Sequence, residues 1–266
     1  MAVVARISGG HEESKLIVHR EPLSPISESY RLLRTNIRFS VVDKPLFTLM
    51  VTSAGPSEGK SVTLSNLAVA LAESGKKVLV IDTDLRRPTL HHLFESPNAA
   101  GLSDAILNVN TSVMEYVQQT LIPNLYLLSA GPIPPNPAEL LASERMGHLL
   151  EELRQHMDVV LLDSPPALVV ADAFILGARV DATLLVTDLG QTRRPMARRV
   201  AEELRRVGAN PAGVVLNRVG PGGAGYNFSY QYYYAEGSDG KWAGRSKKRK
   251  QSDPIASAPG QFHRID

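Results

Sequence analysis

Leu49-Met50-Val51-Thr52-Ser53-Ala54-Gly55-Pro56-Ser57-Glu58-Gly59-Lys60-Ser61 is the stretch that decides the fold. It reads as an apolar strand, a tight loop of small residues and the first turn of a helix. The loop ends in Gly59-Lys60-Ser61 and fits the Walker A pattern when Ala54 takes the first, usually glycine, position. The chemistry asks for that composition. Small residues let backbone N–H groups wrap a polyphosphate, and the helix start adds unpaired N–H donors. Gly55, Pro56, Ser57, Glu58, Gly59, Lys60, Ser61 and Val62 are therefore the candidate cradle for ATP. Lys60 is placed to reach the β- and γ-phosphates, and the Ser61 hydroxyl to ligate Mg²⁺. A bare match of this kind arises by chance, so the strand before it and the helix after it carry the assignment.

Two further apolar runs end in carboxylates. Val78-Leu79-Val80-Ile81 leads into Asp82-Thr83-Asp84-Leu85-Arg86-Arg87-Pro88, and Val159-Val160-Leu161-Leu162 leads into Asp163-Ser164-Pro165-Pro166. Short continuous apolar runs are the mark of strands buried on both faces of a parallel sheet. Acids leaving the C-terminal end of such strands are costly unless they meet a metal, a cation or water, and in open α/β sheets that end is where ligands bind. The second run has the form of a Walker B element, whose Asp holds the Mg²⁺ shell directly or through water. Leu125–Leu128, Ala182–Thr187 and Gly213–Leu216 read as additional strands, and Asn217-Arg218 follows the last of them on the ligand side. The fold expected is an α/β P-loop NTPase: a mostly parallel sheet with helices on both faces and a disordered C-terminal tail.

Outside this centre the pattern changes. Residues 1–23 show no sustained period and read as a flexible lead-in. Ser24 is a candidate N-cap with Pro25 at the first helical position, and Ile26, Tyr30, Leu33 and Ile37 form an apolar stripe at helical spacing. Glu28, Arg31 and Arg34 lie off that stripe, where a solvated face with an i,i+3 ion pair is the plain reading. The helix between the last two strands carries Arg193, Arg194, Arg198, Arg199, Arg205 and Arg206, which suits either a solvated face or an acidic partner. From Gly220 apolar periodicity stops. Tyr226, Tyr230, Tyr232, Tyr233 and Tyr234 fall within nine residues, and the basic run Lys247-Lys248-Arg249-Lys250 follows. Such a tail has no means of burying a core.

Composition bounds the rest. The 266 residues hold one α/β domain and tails, 43% hydrophobic content suffices for a core, and a net charge of +2 selects no partner class. The absence of cysteine excludes disulfides and thiolate metal sites and fits a reducing cytoplasm. No apolar run approaches the roughly 20 residues of a membrane-spanning helix, so the expectation is a soluble chain that meets a membrane through a partner.

Ala54–Ser61, Val78–Arg86, Leu161–Pro166 and the tail tyrosines together resemble the bacterial tyrosine kinases of capsule and exopolysaccharide synthesis, across roughly residues 22–235. The distinctive motif is the second acidic element, termed Walker A′, here Val80-Ile81-Asp82-Thr83-Asp84-Leu85-Arg86; Pro135-Asn136-Pro137-x-Glu139-Leu140-Leu141 is similar to a family segment too. The resemblance implies an ATP:protein-tyrosine phosphotransferase of residues 24–219, with 24–39 an oligomerisation helix and 220–266 a Tyr-rich, then basic, tail. It implies that Lys60 contacts the nucleotide, that Ser61, Asp82 and Asp163 organise Mg²⁺, and that Asp84 orients or deprotonates the incoming phenol. By the same resemblance Asn217 helps hold adenine and Glu28-x-x-Arg31-x-x-Arg34 is the oligomerisation motif. The tail tyrosines would be phosphorylated in trans within a ring, regulating polysaccharide polymerisation and export. A separate membrane adaptor of the chain-length-determinant type would activate the chain, a cognate tyrosine phosphatase would reverse it, and no nucleic acid is expected. The chain would then be cytoplasmic and peripheral to the inner membrane face.

This chain also departs from the family. Ser57 stands where the family often has glycine, and the tail runs on past Tyr234 with a basic segment. Gly55 occupies the position of the signature lysine of MinD/ParA-type ATPases, the rival reading in which the chain is a nucleotide switch that positions cargo. A second rival is a catalytically idle module whose basic segments hold nucleic acid or anionic lipid, which steep salt dependence of binding would mark.

Overall fold

Strand formation follows the apolar runs, and the computed structural model describes residues 2–5, 7, 15–40 and 46–220. In chain order the elements are β1 (Ala2–Ala5), α1 (Ile17–Arg20), α2 (Pro25–Ser40), β2 (Thr48–Ser53), α3 (Lys60–Ala72) and β3 (Val78–Asp82). Then come α4 (Leu90–Leu93), α5 (Leu102–Leu107), β4 (Gln118–Gln119), β5 (Leu125–Leu128), α6 (Pro137–Ala142) and α7 (Glu144–Leu153). The last elements are β6 (Val159–Asp163), α8 (Asp172–Gly177), β7 (Ala182–Asp188), α9 (Arg194–Arg206) and β8 (Pro211–Val219). They build one sheet in the order β1-β8-β7-β2-β6-β3-β5-β4. Every pairing is parallel except the short β4–β5 edge.

Strand side chains alternate between two cores, as the twofold period of a strand requires. Leu49, Val51, Val78, Val80 and Leu161 face the core shared with α1 to α4. Met50, Leu79, Ile81, Val160 and Leu162 face the core shared with α5 to α9. Both faces are thus covered by helices, which is why the strands read as uninterrupted apolar runs. Chain connectivity places β6 between β2 and β3, so β2 and β3 leave a gap that a later strand fills. Ligands bind at such crossovers, beyond the C-terminal strand ends.

Local signals set the helix boundaries. Ser24 Oγ accepts a hydrogen bond from Ser27 N at 3.2 Å, capping α2 ahead of Pro25. Its stripe goes inward, with Tyr30, Leu33 and Ile37 all buried. Helix α3 ends before Gly75, whose φ of +87° is the left-handed conformation that terminates helices. The segment after the proline-rich loop is two helices, because Ser143 is extended and its Oγ accepts from Met146 N at 3.3 Å to start α7 anew.

The lead-in expected over 1–23 is not what its described residues form. β1 extends the sheet alongside β8, pairing Ala2 with Val215 and Val3 with Leu216. Leu16, Ile17 and Val18 are buried, and Asn66 on α3 holds this segment from both sides: Val18 N donates to Asn66 Oδ1 at 3.0 Å and Asn66 Nδ2 donates to Lys15 O at 2.7 Å. Without β1 the edge of β8 would expose a row of unpaired backbone groups. Residues 221–266, with the tail tyrosines and Lys247–Lys250, lie outside the described residues. No described helix is long and apolar enough to cross a membrane.

Candidate active site

The site begins with the P-loop's backbone. Gly59, the N-cap of α3, takes φ 90°, and Ser57 takes φ 60°, the region glycine adopts without strain. The first α3 amide with a partner in the chain is that of Thr63, which donates to Gly59 O at 2.9 Å. The amides of Lys60, Ser61 and Val62 at the helix start are thereby left for a ligand. Glu58 is buried and braces the loop from within: its Oε2 accepts from Ala54 N at 2.9 Å and its Oε1 from Thr192 Oγ1 at 2.6 Å.

Asn217, at the end of β8, supports the loop from behind. Its Nδ2 donates to Glu58 O at 2.9 Å, and its Oδ1 accepts from Arg218 N at 2.9 Å. A Cβ on Gly59 would lie 2.1 Å from that same Nδ2. Gly59→Ala therefore combines left-handed strain with a collision. We expect it to lower stability by about 2–4 kcal/mol and nucleotide affinity by at least ~10-fold, read as melting curves with and without ADP. An unchanged nucleotide-induced shift in this variant would show that the loop tolerates rebuilding.

The carboxylates follow from sheet register. β3 and β6 are neighbours, with Asp82 directly opposite Asp163 and both fully buried. Thr83 donates from N at 3.0 Å and from Oγ1 at 2.7 Å to Asp163 O, fixing the two strand ends together. Asp82 is well satisfied: its Oδ2 accepts from Thr89 N and Leu90 N, each at 2.9 Å, and its Oδ1 from Asp84 N at 3.2 Å. Asp163 is less so: neither carboxylate oxygen has a donor at full hydrogen-bond distance, and the Ser61 hydroxyl and the Lys60 ammonium stand just beyond it. Lys60 Nζ stands 3.6 Å from Asp163 Oδ2 and 3.5 Å from Asp84 Oδ2, and 3.2 Å from Ser61 Oγ.

Electrostatics follow from this crowding. Burial, reinforced by the charge of Asp163, pushes the Asp82 carboxyl up to about 7. Burial also raises Asp163, against the pull of Lys60. Burial alone would lower Lys60, but Asp163, Asp84 and Asp82 outweigh it and hold the ammonium above its ordinary value. Three acids and one cation in a dry pocket are short of positive charge. An orphaned buried carboxylate beside a serine hydroxyl at a phosphate cradle fits Mg²⁺. Among the described residues no group of three or more His, Asp or Glu could hold a metal alone. The ion would draw instead on Ser61, the carboxylates, water and phosphate oxygens, as Mg²⁺ does in phosphate sites.

The sequence reading missed three supports. Arg86 donates from Nε at 2.8 Å and Nη2 at 3.0 Å to the two oxygens of Asp172, a fully buried carboxylate at the start of α8, and so ties the segment bearing Asp84 to that helix. Thr192 holds Glu58, and Asp188 at the end of β7 accepts from Arg218 Nη1 at 2.8 Å and Gly190 N at 2.8 Å. An acid inside the mainly apolar run 167–177 was the one signal for Asp172.

Lys60, Ser61, Asp82, Asp84 and Asp163 thus converge. Glu28, Arg31 and Arg34 do not join them. They run along α2, where Arg31 pairs with Glu28, donates to Pro22 O at 2.7 Å and reaches Glu73 Oε2 at 3.3 Å. Arg34 Nη1 donates to Ala70 O at 2.6 Å.

Comparison with known proteins places this arrangement. A family model described as an AAA domain matches residues 53–192. The tyrosine-protein kinase YwqD of Bacillus subtilis is 44% identical over 209 residues, which cover 79% of this chain and 88% of YwqD. A putative tyrosine-protein kinase CapB of Staphylococcus aureus is 39% identical over 223 residues, 84% of this chain and 96% of its own. The kinase domain of the Escherichia coli tyrosine kinase ETK superposes with a TM-score of 0.76 at 30% identity, covering 85% of this chain and 94% of that domain. The septum site-determining protein MinD of Pyrococcus horikoshii, solved with Mg-ADP, shares the fold at 23% identity with a TM-score of 0.57, over 65% of this chain and 71% of its own.

Proposed function

The chain belongs to the bacterial tyrosine-protein kinases, and on that premise we propose that it transfers the γ-phosphoryl group of ATP to its own C-terminal tyrosines. The acceptors are Tyr226, Tyr230, Tyr232, Tyr233 and Tyr234 of one copy, presented to the site of another. The observation that carries this reading is Lys60 Nζ held 3.5 Å from Asp84 and 3.6 Å from Asp163 at the head of the phosphate cradle.

Phosphoryl transfer needs positioning and charge neutralisation more than covalent chemistry from the protein. The α3 amides and Lys60 bind and orient the triphosphate. Ser61, Asp82 and Asp163 would hold Mg²⁺, and the ion would supply neutralisation of the charge that develops on the phosphate oxygens. The phenol oxygen forms a bond to the γ-phosphorus as the bond to the β–γ bridging oxygen breaks and ADP leaves. A phenol with its usual pKa of ~10 enters protonated, and Asp84 accepts that proton. Arg86, anchored on Asp172, keeps the segment of Asp84 in place. Asn217 and Glu58 keep the loop in shape beneath the nucleotide.

The wider reading is that copies assemble through the α2 residues Glu28, Arg31 and Arg34, and that a membrane adaptor of the chain-length-determinant type activates them. Phosphorylated tails would repel one another, and the cycle, reset by a phosphatase, would govern capsule or exopolysaccharide polymerisation and export from the inner membrane face. The full-length protein incubated with Mg²⁺-ATP, with and without an adaptor's cytoplasmic segment, is expected to gain successive phosphates by intact-mass spectrometry. A variant with all five tail tyrosines changed to phenylalanine should gain none. ATP hydrolysis without any mass gain, adaptor present, would overturn this reading in favour of a nucleotide switch.

A further inference from the structure

Phosphoryl transfer as described leaves the surface of α9 unused. Arg194, Arg198, Arg199, Arg205 and Arg206 are exposed on it, as is Arg193 at its N-cap. Among the described residues Arg206 alone has an acidic partner, Glu203 at 2.7 Å. Val200 and Leu204 anchor the opposite side in the core. Six arginines against two glutamates over 193–206 give this one helix a larger positive charge than the +2 of the whole chain. Every basic residue of the helix is arginine.

Arginine and lysine attract an anion about equally at long range, but the guanidinium fork matches phosphate oxygens two at a time. Arg194 and Arg198 are one turn apart on one side of α9, with Arg205 on the same stripe two turns further on. Location narrows the ligand. Asp188 on β7 pairs in register with Asn217 on β8, β7 is the parallel neighbour of the P-loop strand β2, and α9 begins six residues after Asp188, so its first turn lies at the same sheet edge as the P-loop. Thr192, just before it, is hydrogen-bonded to Glu58 of that loop.

We propose that Arg194 and Arg198, flanked by Arg193 and Arg205, form a phosphotyrosine-binding surface whose ligand is the phosphorylated Tyr226–Tyr234 segment of another copy. This rests on the tyrosine-kinase reading for the origin of the phosphates. Between Arg218 and Glu236 the sequence has no charged residue, so the unmodified segment offers the arginines nothing. Each phosphate adds a charge of about −1.5 to −2 and a set of strong acceptor oxygens. The surface therefore reads the product and ignores the substrate, and it draws the finished tail away from the catalytic carboxylates. An anionic bilayer is the other acidic partner of suitable charge. It is disfavoured because the exposed apolar residues of this region, Met196 and Val207, each stand two positions from the nearest arginine of the stripe and so lie off the Arg194–Arg198–Arg205 face, which has no apolar side chain to insert into a bilayer.

The test uses the full-length Lys60→Met protein, which keeps its own tail unphosphorylated, and a fluorescent peptide of residues 222–240 phosphorylated chemically on Tyr232, Tyr233 and Tyr234. By anisotropy the phosphopeptide should bind at least ~10-fold more tightly than its unphosphorylated form. The Arg194→Lys/Arg198→Lys double variant, charge unchanged, should lose about tenfold in that affinity without a change in melting temperature. Equal binding of both peptides, or a double variant as good as the parent, overturns the proposal. So does arginine-dependent binding to phosphatidylglycerol vesicles with no preference for the phosphopeptide. Because the phosphates are installed by synthesis, failure of the autokinase reading leaves this measurement intact.

Discussion

Lys60→Met is expected to reduce tail phosphorylation by at least ~10³-fold, the scale seen when one preorganised charge that stabilises a transition state is removed. The variant loses the cation that crosses from the cradle to the acids: its Nζ is 3.5 Å from Asp84 and 3.6 Å from Asp163, with only 13% of the side chain exposed. Two effects are distinguishable. Without nucleotide, the acids lose their counter-charge in a pocket where burial already raises Asp82 and Asp163, so the variant should be less stable by about 1–3 kcal/mol at pH 8. With nucleotide, binding should weaken far less than turnover, because the α3 amides and the helix start still hold phosphates. Time-resolved intact mass measures the first quantity, and calorimetric ADP titration the last. A residual rate within tenfold of the parent would mean that Lys60 is a structural counter-ion and that another group neutralises the transferred phosphoryl.

The fold was legible where chemistry sits at the end of an uninterrupted apolar run. Asp82, Asp163 and Asn217 each follow such a run, so a linear reading reaches the ligand edge three times, and the P-loop fixes the order of strand and helix around it. What escaped were features made by distance along the chain. β1 is four residues long and owes its existence to the open edge of β8, more than 200 positions away. The Arg86–Asp172 and Glu58–Thr192 contacts join residues 86 and 134 apart, and only sheet order brings them together. Arg31 and Arg34 add a further case: the sequence places them on one helix, and their hydrogen bonds to Glu73 and Ala70 O at the end of α3 are again contacts that only the fold brings together.

Asp163→Asn should move stability and function in opposite directions. The native state holds protons on Asp82 and Asp163 more tightly than the unfolded chain does, since burial raises both. Stability from such groups is complete below the ordinary carboxylate value of 3.8 and is lost as pH rises through the native value, about 7 for Asp82. Lys60, raised above its ordinary 10.5, stays charged across this window and adds no slope of its own. At pH 8, above the Asp82 value of about 7, the nucleotide-free parent therefore carries the cost of an ionised Asp82 facing a second buried carboxyl, that of Asp163, across the strand pair. Asparagine removes that charge and relieves Asp82 opposite it, at the expense of one partner for Lys60. The nucleotide-free variant should be more stable than the parent by about 1–3 kcal/mol at pH 8, and the advantage should shrink towards pH 5 as Asp82 of the parent keeps its proton. Mg²⁺ with ADP should stabilise the parent well beyond ADP alone, whereas the variant should show little difference between the two, because one oxygen of the metal's surroundings has become a neutral amide. Thermal melts across pH, with and without Mg²⁺, separate the outcomes. A variant that is destabilised at pH 8 and still responds fully to Mg²⁺ would place the ion elsewhere and make Asp163 a partner of Lys60 alone.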